Sequence, residues 1–337
     1  MIKEVIEKLI SGETLSREEA ANSMLEIMRG EATDAQIAAF MVALRLRGET
    51  AEIIAGCAEV MRKNATPIRC EDPDAIDIVG TGGDGAHTFN ISTTAAFVAA
   101  GAGATVAKHG SYGVSSKCGS ANVLSELGIN LQYTPARMEA CLAEIGIAFL
   151  FAPALHPAMK YAVGPRRELG IWSLFNILGP LCNPAGVKNG IMGVFSAPLV
   201  PLISDACAQL GMNRQFIVHG NDGLDEFTTT TTTQVSEIHA GKQLSYEIDP
   251  QKLGLSLVSS GDLVGGDPAE NARITRDLLE GKERGAKRQI VLLNAAFALI
   301  SSGRAKDPEE GLLQAAESID SGAALAKLDA LARLSNQ

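Results

Sequence analysis

Apolar residues at the start of the chain recur at helical spacing. Ile2, Val5, Ile6, Leu9 and Ile10 share one face, Ile37, Phe40, Met41 and Leu44 a second, and Ile53, Ile54, Cys57, Val60 and Met61 a third. Ser16 with Glu19 and Thr33 with Gln36 have the spacing of capping boxes, in which side chain and backbone satisfy each other's free N–H groups. Residues 1 to about 66 are therefore expected to form four short helices with no strand between them. Asn64–Pro67 and the polar run 69–74 bound a helical domain over 1–68.

From residue 75 the pattern changes to short apolar runs separated by helical stretches, the signature of an α/β domain, here taken as 73–337. Strands are predicted at 75–79, 104–107, 148–151, 190–194 and 215–219. Helices are predicted at 120–127 and 135–145, and further on near 271–279, 290–301 and 325–334. The fold class is thus a small helical domain plus a larger α/β domain around a central, mostly parallel sheet. Residues 237–250 read as a hairpin. The six threonines Thr228–Thr233 favour strand or loop, because β-branched side chains suit extended backbone. No internal repeat is found.

The first predicted strand breaks into Gly80-Thr81-Gly82-Gly83-Asp84-Gly85, and a hydroxyl-rich helix start, Asn90-Ile91-Ser92-Thr93-Thr94, follows. Glycines let a ligand approach the peptide N–H groups, and a helix N-terminus adds free donors and positive dipole. Ser92, Thr93 and Thr94 bring hydroxyls. The second strand delivers Lys108 and His109 into another polar loop. Two such loops at strand C-termini suggest one shared anion site. Gly80, Gly82 and Gly85 satisfy G-x-G-x-x-G, but the position that would hold an acid for a dinucleotide ribose offers Lys108 and His109, and no G-K-[ST] follows the glycines. Asp84 would repel bare phosphate, so it suits sugar hydroxyls or water around a metal. A phosphorylated sugar fits best.

The formal charge of −10 argues against general affinity for nucleic acid or anionic membrane. Glu4 and Glu7 interrupt the apolar N-terminus, which excludes a signal peptide, and no apolar run is long enough to span a bilayer. The six cysteines are scattered without a C-x-x-C pair, which reads as reduced thiols in a cytoplasmic protein.

The motifs GTGGD, FNIST, KHG…SSKCGSANVL, HPAMKYAVGPRRELG, FNILGPLCNPAG, HGNDGLDE and LLNAAFAL occur in this order over nearly the whole chain. Together they resemble the anthranilate phosphoribosyltransferase family of tryptophan biosynthesis. The resemblance implies transfer of a phosphoribosyl group from phosphoribosyl pyrophosphate (PRPP) to the amino group of anthranilate, with release of pyrophosphate. It implies Mg2+, held by Ser92, Asp225 and Glu226. It also implies a homodimer formed through the helical domain, to which part of 160–181 returns. The matching donor positions are Gly80, Thr81, Gly82, Gly83, Asp84, Thr88, Asn90, Ile91, Ser92, Thr93, Lys108, Ser115, Ser116 and Ser120. The matching acceptor positions are Gly80, His109, Ser111, His156, Arg166, Gly179 and Pro180, with Arg166 set against the anthranilate carboxylate. An aromatic amine is neutral at pH 7, so no acid, base or nucleophile is assigned.

The chain departs from the family pattern mainly on the acceptor side. Ser111 and Tyr112 stand where the family reads Asn-Arg, and Trp172-Ser173 where it reads Arg-Thr. Asn122 replaces an aspartate, and Phe227 followed by threonines replaces the usual residues after the acids. Two readings stay open: drift, or a paralogue that keeps the donor and takes another aromatic or heterocyclic acceptor. A pyrimidine nucleoside phosphorylase shares the same plan, and a non-catalytic binding protein is the remaining alternative.

Overall fold

In the computed structural model, which describes residues 1–113 and 118–337, four helices open the chain: α1 (Ile2–Ile10), α2 (Arg17–Met28), α3 (Asp34–Arg47) and α4 (Ala51–Lys63). Both capping boxes form. Ser16 Oγ accepts from Glu19 N–H, and Thr33 Oγ1 accepts from Gln36 N–H.

The sheet begins with β1 (Ile76–Gly80), then α5 (Ile91–Gly101) and β2 (Val106–Gly110). Next come α6 (Ser120–Glu126), α7 (Pro135–Ile145), β3 (Ile147–Phe151) and the single-turn α8 (Ala152–Leu155). The chain then forms α9 (Lys160–Leu169) and α10 (Leu174–Leu181), returns to the sheet as β4 (Asn189–Gly193), and continues through α11 (Leu199–Gln209) to β5 (Arg214–Gly220). A hairpin of β6 (Thr233–His239) and β7 (Lys242–Ile248) precedes the last helices, α12 (Pro268–Leu279), α13 (Ala286–Ser301), α14 (Pro308–Asp320) and α15 (Ala323–Ser335). The strand order is β3-β2-β1-β4-β5-β6-β7. The first five strands are parallel and the hairpin adds two antiparallel ones, so the sheet is mixed and mostly parallel.

Alternation along the strands divides the interior in two, since successive strand side chains point to opposite faces. Ile191, Phe216, Val218 and Val235 join the core beneath α5, α6, α7, α12, α13 and α15. Met192, Ile217 and Ile238 face the other way and join α1–α4, α9, α10 and α11 in a second continuous core. The bundle is thus fused to one face of the sheet by shared apolar packing. Among the described residues no helix is long and apolar enough to cross a membrane. Thr228 lies in the loop before β6, and Thr233 opens that strand.

Candidate active site

The polar residues converge at the C-terminal ends of β1, β2 and β4. At the end of β1, Gly80 pairs in register with Gly193 of β4. Asp225 crosses between them so closely that a Cβ on either glycine would collide with it. Small residues here are a steric requirement: they admit the acid to the strand ends. Thr81 N–H donates to the Gly193 carbonyl at 2.9 Å, and the loop then turns back so that Gly82 N–H donates to Asp225 Oδ2 at 2.7 Å. Next to it in sequence, Glu226 reaches α5, where Ser92 N–H donates to Oε1 at 3.1 Å. The two adjacent acids therefore tie the glycine loop to the start of α5.

Burial, together with the nearby Asp84 charge, pushes the Asp225 carboxyl up from its usual range. Burial and the Asp225 charge do the same to Glu226, opposed by Lys108. A buried pair of acids this close calls for a cation. Among the described residues no three His, Cys, Asp or Glu side chains stand together as a metal cage. Two carboxylates with a serine hydroxyl suit Mg2+, which keeps several waters and shares substrate phosphates instead of demanding a full protein shell.

The start of α5 is held from outside the motif. Asn271 Nδ2 donates to Asn90 Oδ1 at 3.1 Å, and Asn90 Nδ2 donates to the Cys118 carbonyl at 3.2 Å. Ile91 and Thr93 are buried, whereas Ser92 is partly open. Thr94 corrects the expectation of a free hydroxyl: its Oγ1 donates to the Asn90 carbonyl at 3.0 Å and lies 3.1 Å from Thr275 Oγ1, so it belongs to the core. Thr88 bridges Val264 beside the loop. Ser120 begins α6, with its Oγ 3.3 Å from the Ser111 carbonyl that accepts from it. Ser115 and Ser116 lie outside the described residues.

Lys108 and His109 sit within β2 and not in the loop beyond it. Lys108 is buried and its Nζ donates to the Ile78 carbonyl at 2.6 Å, with Asp77 and Glu226 near enough to counter the effect of burial on its charge. His109 Nδ1 is 3.2 Å from the Gly179 carbonyl, and its Nε2 is 3.2 Å from Nε2 of His156. Three of the positions expected at the acceptor, from β2, the end of α8 and α10, are thus in contact. Burial holds both imidazoles neutral, lowering His109 to about 3, helped by its neighbour His156, and His156 to about 4. Pro180 is buried beside Gly179. Arg166, on α9, is half-buried, lies 5.2 Å over the Phe175 ring and makes no ion pair among the described residues. Ser111 is partly buried, and its carbonyl accepts from Ala121 N–H at 3.1 Å.

Several supporting residues were missed from sequence. Asp77, on β1, is buried beside β2, accepting from His109 N–H at 3.1 Å and from Asn183 Nδ2 at 2.8 Å. Asn183 also donates to the Ala107 carbonyl at 2.7 Å. Asn294 clamps Phe227, accepting from its N–H at 3.1 Å and donating to its carbonyl at 2.8 Å, which fixes the chain just after the acids. An acid inside an apolar strand was the visible signal for Asp77; its partners are far away in sequence.

Two family models match: the glycosyl transferase family helical bundle domain over residues 3–65, and the glycosyl transferase family a/b domain over 72–325. The chain is 50% identical, over the full length of both proteins, to an anthranilate phosphoribosyltransferase of Geobacter sulfurreducens. The chain belongs to the anthranilate phosphoribosyltransferase family.

Solved structures agree. The anthranilate phosphoribosyltransferase of Thermus thermophilus superposes with a TM-score of 0.93 at 40% identity, over 98% of this chain and 99% of that one. The Saccharomyces cerevisiae enzyme in complex with PRPP and Mg gives 0.91 at 30% identity, over 99% and 98%. The same yeast enzyme has also been solved with 4-fluoroanthranilate, at a TM-score of 0.90 and 30% identity over 99% and 97%.

Proposed function

We propose that this chain transfers the phosphoribosyl group of PRPP to the amino group of anthranilate, releasing pyrophosphate, as a step of tryptophan biosynthesis. The observation that carries this reading is the joint anchoring of the glycine loop and the α5 start by Asp225 and Glu226. The neutral His109–His156 pair follows Lys108, whose charge acts on Glu226, and Arg166 on α9 has no acidic partner among the described residues.

As the bond from the sugar C1 to the pyrophosphate oxygen breaks, negative charge grows on the leaving group. Catalysis then depends on donors and cations fixed around that oxygen, not on a covalent nucleophile. Glycine-loop N–H groups beyond those of Thr81 and Gly82, which the fold already engages, would supply donors, and Ser92, Asp225 and Glu226 would hold Mg2+. When bound, Mg2+ supplies positive charge at the pyrophosphate oxygens. Arg166 would bind the anthranilate carboxylate with its planar fork. His109 and His156, neutral and buried, give the amine a polar wall that adds no competing charge. Burial around the two imidazoles also keeps water away from a reactive sugar carbon.

The helical domain would comprise 1–68 with part of 160–181, and the catalytic domain 73–337; α9 packs on α2 and α3, and α10 on α3 and α4, which supports this division. A homodimer would form through the bundle. Ile10 of α1, Leu46 of α3 and Val163 of α9 are exposed at 75%, 83% and 52%, and α1 and α9 both pack on α3. A cytoplasmic setting fits the scattered cysteines.

The test is pyrophosphate release with purified protein, PRPP and Mg2+, with and without anthranilate. Release that requires anthranilate and yields the phosphoribosyl adduct in equal amount supports the proposal. Release only with a different amine would point to an altered acceptor, and phosphate-dependent nucleoside cleavage would replace the reading altogether.

A further inference from the structure

Trp172 is the single tryptophan of the chain and lies in the turn between α9 and α10. Gly170, at φ +59°, ends α9 in the left-handed region, and Ser173 caps α10. Separate parts of the fold meet at the indole. From α3, the Arg45 guanidinium lies 4.7 Å over the ring. From the segment after β4, Phe195 packs edge-on at 5.3 Å between centroids and 69° between planes. From the glycine loop comes Gly83. A Cβ placed on it would stand 3.8 Å from Phe195 Cδ1 and 4.0 Å from Trp172 Cδ1, an ordinary van der Waals approach, so the loop passes within one carbon's reach of both ring edges. Gly83 has φ +87°, a conformation that side-chain-bearing residues rarely adopt, so the loop reaches this position only as glycine.

The polar end of the indole does not hold it there. Trp172 Nε1 is buried with no hydrogen-bond partner among the described residues, and Glu49 Oε1, just beyond α3, is in the same condition. A buried N–H without an acceptor is costly. Ring contact, with the Arg45 cation on the indole face, is therefore what sets the position of Trp172.

We propose that Trp172 is a positioning residue for the donor. With Phe195 it forms an aromatic rest for Gly83, holding the glycine loop where Gly82 N–H meets Asp225. Through the α9–α10 turn it links the state of that loop to the helices that carry Arg166 and Gly179. The proposal rests on the reading of the glycine loop as the PRPP site.

Because Trp172 is the only tryptophan, its emission reports on this contact without labelling. PRPP with Mg2+ is titrated into the full chain without anthranilate, while calorimetry follows binding independently. The expected result is a saturable change in tryptophan emission over the concentration range in which heat is released. Trp172→Ala should raise the KM for PRPP about tenfold, equivalent to 1.4 kcal/mol, with a smaller change in kcat. Trp172→Phe, which keeps a ring on Phe195, should recover most of that loss. Thermal melting of both variants shows whether the fold is intact. Calorimetric binding with unchanged emission would overturn the proposal, as would an unaltered KM in Trp172→Ala or equal impairment in both variants. Failure of the wild-type protein to bind PRPP at all would remove the donor-site reading, and this inference with it.

Discussion

The proposed donor and acceptor sides of the site are built differently. On the donor side the polar groups are already engaged with one another. Gly82 N–H is on Asp225, Ser92 N–H is on Glu226, and Asn90 is held by Asn271, which ties the loops after β1 and β5 to the first turns of α5 and α12. On the acceptor side the contacts come from β2, α8, α9 and α10. Arg166 has no acidic partner among the described residues, and Tyr112 is half exposed, meeting Phe151 edge-on at 5.2 Å. A site whose loops are tied down by satisfied hydrogen bonds is preorganised. One gathered from several helix ends depends on how those elements sit. Chemistry with a growing pyrophosphate charge needs the first kind of site, while recognition of a small planar acid tolerates the second.

The largest effect should come from breaking the donor side. Asp225→Asn removes a charge and one acceptor of the loop N–H pair, and kcat should fall by about 10²–10³-fold, the scale of losing a dominant electrostatic contact. Melting temperature should change little or rise, because the substitution removes a buried acid that burial and the Asp84 charge disfavour. Steady-state kinetics with a melting curve checks both.

Asn183→Ala probes the support beneath both sides. It leaves Asp77 and the Ala107 carbonyl without their amide donor, and should cost about 1–3 kcal/mol of stability in a denaturant titration. On the acceptor side, Arg166→Lys keeps the charge but loses the planar fork. It should raise the KM for anthranilate about tenfold while leaving the KM for PRPP nearly unchanged. Equal changes in both constants would show that the two sides are not separable.

The smallest effect is a pH dependence of stability from the buried groups between the two sides. His109 and His156 are depressed to about 3 and about 4, so the native state excludes protons that the unfolded chain binds below about 6.5. Their stabilisation is present above that pH and is lost as pH falls through the folded values. Asp77 is raised to about 6 by burial, despite Lys108, and acts in the opposite direction: its contribution is present at low pH and lost as pH rises through 6. Asp225 and Glu226 are raised by burial too and act with Asp77, so three carboxyls against two imidazoles leave stability flat or slightly rising on acidification from pH 6 to 4. Denaturant midpoints across that range test the sign.

The same contrast governs how much of the molecule could be read from its sequence. Local signals carried well: α7 forms over Pro135–Ile145 as expected, the β-strands predicted in the parallel part begin or end within two residues of their predicted bounds, and 237–250 holds the turn and second strand of the β6–β7 hairpin, whose first strand begins earlier, at Thr233. α14 was not anticipated, although Asp307-Pro308 is a helix-start signal and Asp307 Oδ1 accepts from Glu310 N–H at 2.9 Å. The glycine loop is a contiguous motif, so its proposed donor chemistry could be read from glycine spacing and the following hydroxyls. The acceptor positions were visible only through the family resemblance, because no local rule brings His109, His156 and Gly179 together. Asp77 with Asn183, and Trp172 with Gly83 and Phe195, are contacts between distant segments that only the folded chain reveals.

The most direct test of the account is the loss of anthranilate fluorescence on mixing purified protein with PRPP and Mg2+, run beside Asp225→Asn. Rapid loss in the wild-type protein, nearly abolished in the variant while calorimetry still detects anthranilate, is the predicted result. Persistent fluorescence in wild-type protein that binds PRPP, or equal loss in both proteins, would contradict it.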